Sequence, residues 1–334
     1  PLLPRPQLFE LASRDEVESR LVIQERGGWQ MKRGPFARRA FPPVSQPKWT
    51  LLVQGVDLHD DRVHALLQRF AFVPQARLDD LMISWASDGG GVGPHFDSYD
   101  VFLLQVQGRR RWRIGRQKDL SLRDGVQLKI LSNFEPQEEH VLEPGDMLYL
   151  PPRWAHDGAA QGECQTYSIG FRAPSRGELA RDVLERIADD AAGIVGDALY
   201  LDPKQHATST PGEVPLELRS FAHGALKAAL KDDDALYRAL GESLTEPKAN
   251  VWFEAGQAAS IDNGVALDRR TRMMYDARHV FINGESLRAG GKDATLMRSL
   301  ADARKLTATQ VRKAGDAARD LLASWVEAGW AHPL

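Results

Sequence analysis

Between residues 49 and 174 apolar and polar positions alternate in short runs, at 101–107, 111–114, 147–150 and 166–171. A period of two marks half-buried strands. The runs are punctuated by Gly89-Gly90-Gly91, Gly108, Pro144-Gly145 and Pro151-Pro152, a pattern that predicts an all-β sandwich or barrel. A parallel α/β sheet would need regularly alternating helices. Ahead of the first of these runs the spacing of Val63, Leu66, Leu67 and Phe70 predicts a helix over 57–72 with Asp57 as its cap. After Pro174 the apolar period lengthens to three and four, which predicts helices over 176–192, 216–230 and 232–244. From residue 248 helix and strand mix. A strand at 278–282 runs into a tight Asn283-Gly284 turn, and helices are expected at 293–303 and 307–328, the pattern of a winged helix-turn-helix. The expected regions are therefore 1–175, mainly β, then 176–247, helical, and 248–334, the winged helix. The amphipathic helices of the middle region must bury their apolar stripes, and symmetric pairing with a second copy is the expected solution.

Composition narrows the function classes. The 334 residues carry 43 Lys and Arg against 46 Asp and Glu, a net charge of −3, so no global field favours nucleic acid or anionic lipid. Residues 246–334 hold thirteen Lys and Arg against eleven Asp and Glu. That balance lacks the concentrated basic face of a DNA reader, and no DNA partner is expected. No apolar run approaches a membrane span and no secretory leader pattern is present, so neither membrane insertion nor export is expected. Cys164 stands alone, which suits a reducing, cytoplasmic compartment and small core filler. The chain opens at Pro1 rather than Met, so a native amino-terminal segment is expected to precede it.

The chemistry concentrates in Gly93-Pro94-His95-Phe96-Asp97. On a strand, residues two apart share a face, so His95 and Asp97 can grip one ion. His59-Asp60-Asp61 repeats the spacing inside a predicted helix, where residues two apart diverge, so His59 and His64 are expected on its surface. A third ligand arrives after Pro151-Pro152 as His156, whereas His140 follows Glu138-Glu139 in a polar run and is expected exposed. Two His and one carboxylate form the facial triad of non-haem Fe(II), with positions left open for a bidentate 2-oxo acid and dioxygen. Within Gly108-Arg109-Arg110-Arg111-Trp112-Arg113-Ile114, alternation places Arg110 with Trp112 and Ile114. That face reads as interior, and a buried guanidinium needs an anion such as the far carboxylate of the oxo acid. Arg109, Arg111 and Arg113 read as a solvated face.

Longer motifs then add a resemblance. Residues 79–84, 89–97 with Tyr99-Asp100-Val101-Phe102, 108–115, Glu143-Pro144-Gly145-Asp146, Tyr149 with Pro151-Pro152, His156, and 167–174 resemble the JmjC-type 2-oxoglutarate oxygenases, specifically the bacterial ribosomal oxygenases of the YcfD type. The resemblance implies a double-stranded β-helix of the cupin kind, then a helical dimerisation region and a winged helix. It implies Fe(II) at His95, Asp97 and His156, and 2-oxoglutarate on Arg110. Ser84 and Thr166 become cosubstrate-pocket candidates, although Thr166 stands where the family pattern suggests Asn and Ala86 where Ser is usual. The implied reaction is 3-hydroxylation of an arginine in large-subunit ribosomal protein uL16, with dioxygen consumed. Acidic residues around the metal motif, Asp88 and Asp100 and also Asp79 and Asp80, are candidates to receive the substrate guanidinium. Two other readings compete: a ribosomal histidyl hydroxylase of the same fold, and a winged-helix regulator with a vestigial barrel.

Overall fold

The computed structural model describes residues 2–25, 28–288 and 290–334; Pro1 lies outside them. The chain divides into two compact units, Pro1–Ala173 and Pro174–Leu334.

The first unit runs α1 (Arg5–Leu11), β1 (Ser19–Glu25), β2 (Gly28–Arg33), β3 (Trp49–Val53), α2 (Asp61–Gln68), β4 (Leu78–Ala86), β5 (His95–Phe96), β6 (Val101–Gly115), β7 (Glu138–Leu142), β8 (Met147–Leu150) and β9 (Ala155–Phe171). One antiparallel sheet has the order β2-β1-β3-β4-β9-β6-β7, with β5 paired to β9 and β8 to β6. Its larger core joins Leu51, Ile83, Trp85, Tyr167 and Ile169 to Leu8 of α1 and Val63 of α2. Phe9 meets Trp85 edge-on at 5.4 Å, and Trp85 lies 4.5 Å from Trp49, so α1 docks on an aromatic cluster. Burying a side chain such as Leu8 contributes about 1.5–3 kcal/mol. A second core gathers Leu103, Trp112, Ile114, Leu142 and Leu150.

Two expectations change here. The helix expected over 57–72 begins only at Asp61, because Asp60 and not Asp57 caps it, accepting from the N–H groups of Arg62 and Val63. The Asp57 carboxylate instead accepts from the Leu81 N–H at 2.8 Å and ties this segment to β4. Leu66 and Leu67 stay within α2, and Phe70 packs into the core just beyond its end. His59 lies before the helix, and both it and His64 are half-buried. The second change is that Gly108 does not end a strand. It takes φ +63 inside one continuous β6, where the pairing with β9 slips twice between Gln105 and Arg109. The slip has a geometric result. Val101, Leu103 and Gln105 are buried before it, and Arg110, Trp112 and Ile114 after it. Strict alternation would put Gln105 and Arg110 on opposite faces.

The second unit begins with α3 (Arg176–Asp189), α4 (Ala191–Val195), α5 (Leu216–Ala229) and α6 (Asp233–Thr245). Ser175 and Glu178 form a reciprocal capping box on α3, and Asp232 caps α6. Ile187, Ala229 and Ala239 make a small shared core. Then follow β10 (Gly264–Leu267), β11 (Met273–Tyr275), β12 (His279–Ile282), β13 (Glu285–Arg288), α7 (Gly291–Ala303), β14 (Lys305–Thr307), α8 (Ala308–Arg312), α9 (Asp316–Glu327) and β15 (Ala331–Pro333). The Asn283-Gly284 turn joins β12 to β13, with both residues at positive φ. The helix expected over 307–328 is two helices. Gly315 separates them, its N–H donating to Asp293 at 3.0 Å so closely that a Cβ there would lie 2.7 Å from the carboxylate. Among the described residues no helix is long and apolar enough to cross a membrane.

Candidate metal centre

β5 exists for only two residues, and its partner makes it informative. His95 stands directly opposite His156 on β9, and Phe96 opposite Ala155. The imidazoles sit with centroids 4.2 Å apart, and Asp97 Oδ2 lies 3.6 Å from His156 Nε2. One ligand atom from each of His95, Asp97 and His156 lies within 4.8 Å of the others, the only such group of three among the described residues. Each histidine offers Nδ1 to the backbone carbonyl two residues earlier, Gly93 at 2.9 Å and Trp154 at 3.0 Å. A carbonyl can only accept, so Nδ1 carries the proton and Nε2 is left as a donor to a metal. Burial, and then the neighbouring His95, push the His156 imidazole down to about 3. It is therefore neutral near pH 7, and its approach to Asp97 is not an ion pair.

The same cavity is lined by Arg110, Trp112, Ser84 and Thr166. Arg110 is buried, at 3% exposure. It donates to the Ser84 hydroxyl at 3.1 Å, the Thr166 hydroxyl at 3.4 Å and the Gly158 carbonyl at 3.2 Å. Thr166 in turn donates to Gln105 at 2.8 Å. All of these acceptors of Arg110 are neutral, and the buried Arg110 Nε and Trp112 Nε1 have no partner among the described residues. A buried cation with unused donors lacks its anion. Its guanidinium reaches the carbonyl of Gly158, two residues along β9 from His156, roughly 7 Å at the strand rise. A metal-chelating dicarboxylate spans that interval. The set of two imidazoles, one carboxylate and one remote cation thus fits Fe(II) with a 2-oxo diacid.

Other expected residues fall outside this arrangement. Asp88 is exposed and accepts from the Gly162 N–H; Asp100 pairs with Arg77 at 2.8 Å and accepts from the Tyr149 hydroxyl at 2.6 Å. Neither lines the cavity, whose carboxylates are Asp79, Asp80 and Asp97. Asp80 accepts from Gln54 and from the Gly55 N–H, and Asp79 pairs with Arg172. His140 is exposed and meets Glu138. Arg109 is exposed, whereas Arg113 is half-buried, pairs with Asp157 at 2.5 Å and lies over Phe134. Sequence reasoning missed Gln105 because its place beside Arg110 depends on the slip at Gly108. Trp112 was within reach of the same alternation that marked Arg110.

Comparison with known proteins follows from this geometry. Residues 65–179 match the model of the JmjC domain, and residues 228–332 that of a ROXA-like winged helix. The chain is 39% identical over 209 residues to the ribosomal protein uL16 3-hydroxylase of Escherichia coli, an alignment covering 62% of this chain. It spans just over half of that relative, 55%. The crystal structure of Escherichia coli ribosomal oxygenase YcfD superposes with a TM-score of 0.80 at 30% identity, covering 99% of this chain and 91% of that one. A structure of YcfD in complex with cobalt and 2-oxoglutarate matches at 29% identity and a TM-score of 0.81, with the same coverage.

Proposed function

Because the chain belongs to the JmjC-domain ribosomal oxygenases, we propose that it is an Fe(II)- and 2-oxoglutarate-dependent protein hydroxylase that 3-hydroxylates an arginine of ribosomal protein uL16. The observation that carries this reading is a three-ligand site and a buried, anion-deficient Arg110 in one cavity. The similar Escherichia coli YcfD forms a complex with cobalt and 2-oxoglutarate, and the similar Escherichia coli relative is a ribosomal protein uL16 3-hydroxylase.

In this reading His95, Asp97 and His156 hold the ion through two Nε2 atoms and one carboxylate. Bound Fe(II), with dioxygen and 2-oxoglutarate, supplies the oxidising chemistry, and 2-oxoglutarate leaves as succinate and carbon dioxide. The chain's own residues bind and orient. Arg110 takes the far carboxylate of 2-oxoglutarate. Ser84 and Thr166 hold the guanidinium before the ligand arrives, and the Thr166–Gln105 bond fixes Thr166. Trp112, packed 5.1 Å from the Arg110 guanidinium and against the second core, keeps water from this end. The acidic set around the metal motif, with Asp79 and Asp80 in the cavity wall and Asp88 and Asp100 outside it, is the side from which the substrate guanidinium is received.

Two finer parts of the proposal concern the whole protein. Leu216, Leu226 and Leu230 on and beside α5 are between 48% and 65% exposed and fall on one side of the helix, a stripe that suits pairing with a second copy. A ribosomal-protein substrate and a single buried Cys164 suit the cytoplasm.

The test is a uL16 peptide bearing the target arginine, incubated with the protein, Fe(II), 2-oxoglutarate and oxygen. A gain of about 16 Da on the arginine is expected, lost when it is replaced by alanine. Hydroxylation of a ribosomal histidine peptide, with none on the arginine peptide, would reject the substrate assignment.

A further inference from the structure

We propose that Trp29 and Ile130 are positioning residues for the metal centre, pinning Gly93 so that its carbonyl holds His95 by Nδ1. The inference rests on the reading of His95 as a ligand and goes beyond it to residues that supply no ligand atom.

The two histidines are oriented alike, each by the carbonyl two residues earlier, but those carbonyls are secured differently. Trp154 closes a short turn, its N–H donating to the Pro151 carbonyl at 3.3 Å, and the Arg153 N–H donates to the Asp97 carbonyl at 2.7 Å. His156 itself lies in the long paired strand β9. Local backbone bonds therefore fix that side. Gly93 sits in no strand ladder, since residues 91–94 lie outside every strand. It adopts φ +79, a conformation that glycine enters freely and leaves as freely.

Gly93 is restrained instead from outside. A Cβ placed on it would lie 2.7 Å from Ile130 Cδ1 and 2.8 and 2.9 Å from two ring atoms of Trp29. Trp29 comes from β2 at the edge of the sheet, and Ile130 from the crossing between β6 and β7. Ile130 is fully buried. The crossing is tied to the same stretch by the Leu131 N–H, which donates to the Pro94 carbonyl at 2.8 Å. It is tied to the hairpin by the Arg123 guanidinium, 5.8 Å from the Trp29 ring. Two remote segments close on one glycine, whose carbonyl orients His95. Groups that orient a metal-binding histidine typically govern affinity by 10- to 100-fold.

The experiment titrates the protein, stripped of metal, with Co(II), followed by its visible absorption. Long-range 1H–15N spectra read the His95 tautomer in parallel. Trp29→Ala and Ile130→Ala are expected to weaken Co(II) binding on the order of 10-fold and to populate the second His95 tautomer. Trp29→Phe is expected to keep native affinity because it restores a ring over Gly93. Ile130→Val, which removes only the Cδ1 methyl that faces Gly93, is the mild variant and is expected to shift both readouts in the same direction. Unchanged affinity and tautomer in the Trp29→Ala and Ile130 variants, while His95→Ala loses Co(II), would overturn the positioning role. Native Co(II) binding in His95→Ala would instead remove the ligand assignment on which it stands.

Discussion

Arg110 lies on the side of β6 that carries Trp112 and Ile114. Its apolar company at 112 and 114 marks an interior face, and the side chain is indeed buried with neutral acceptors. Arg110→Ala should raise the KM for 2-oxoglutarate on the order of 10- to 100-fold, since a hydrogen bond to a charged group contributes about 1.5–3 kcal/mol. Steady-state kinetics with the cosubstrate varied checks this, and an unchanged KM would refute the contact. The substrate carboxylates were less legible. Asp79, Asp80, Asp88 and Asp100 look alike in sequence, and only the fold shows that the first two line the cavity and the last two do not, although all four are already bonded. In the second unit Asp268 is buried beside Arg270 and His332, at 2.8 Å from each. Burial alone would raise its carboxyl, but hydrogen bonds from Arg270 and His332 outweigh it and hold the group at about 2. A carboxyl more acidic when folded stabilises above its unfolded value of 3.8, and that contribution is lost as the pH falls from there through about 2. Asp268→Asn should therefore cost about 1–3 kcal/mol at pH 7 and flatten the decline of stability below pH 4. Denaturant titrations across that range would show it; an equal loss at every pH would contradict it.

At the scale of elements, turn residues carry the ambiguity. Glycine reads as a break, yet Gly108 sits inside a strand and Gly315 between two helices read as one. The difference lies in what approaches them: a Cβ on Gly108 would be 2.1 Å from the Glu163 carbonyl of the neighbouring strand. No local pattern contains that neighbour. The hairpin of β1 and β2 is also not legible in the sequence, because buried and exposed positions do not alternate strictly along either strand. Gly108→Ala combines a left-handed backbone with this close approach and should destabilise the first unit by about 1–3 kcal/mol or more. Because the slip at Gly108 is what turns Arg110 inward, the same change should raise the 2-oxoglutarate KM without altering metal affinity. Thermal unfolding, cosubstrate kinetics and Co(II) titration together decide this, and a lowered melting point with native KM would limit Gly108 to stability.

For the whole molecule, the period of apolar positions changes near Pro174, and the structure divides after Ala173. That boundary was legible because strand and helix periods differ over many residues, whereas the ends of single elements depend on one cap or one contact. The exposed stripe on α5 leads to a prediction at this scale: light scattering at micromolar concentration should give twice the mass of the chain, and Leu226→Glu should shift it toward a single copy. A monomer in the unsubstituted protein would contradict the pairing. The two-residue strand β5 has a consequence for folding as well as for chemistry. His95 and His156 face each other across the shortest pairing in the sheet, with the long stretch that includes β6, β7 and β8 between them in the chain. An ion bound there acts as a cross-link that closes a large loop, as a disulfide would in an oxidising compartment. Amide exchange around residues 91–100 should slow on metal loading far more than exchange in β4 or the middle of β9, so the mouth of the barrel completes its folding only when it is armed.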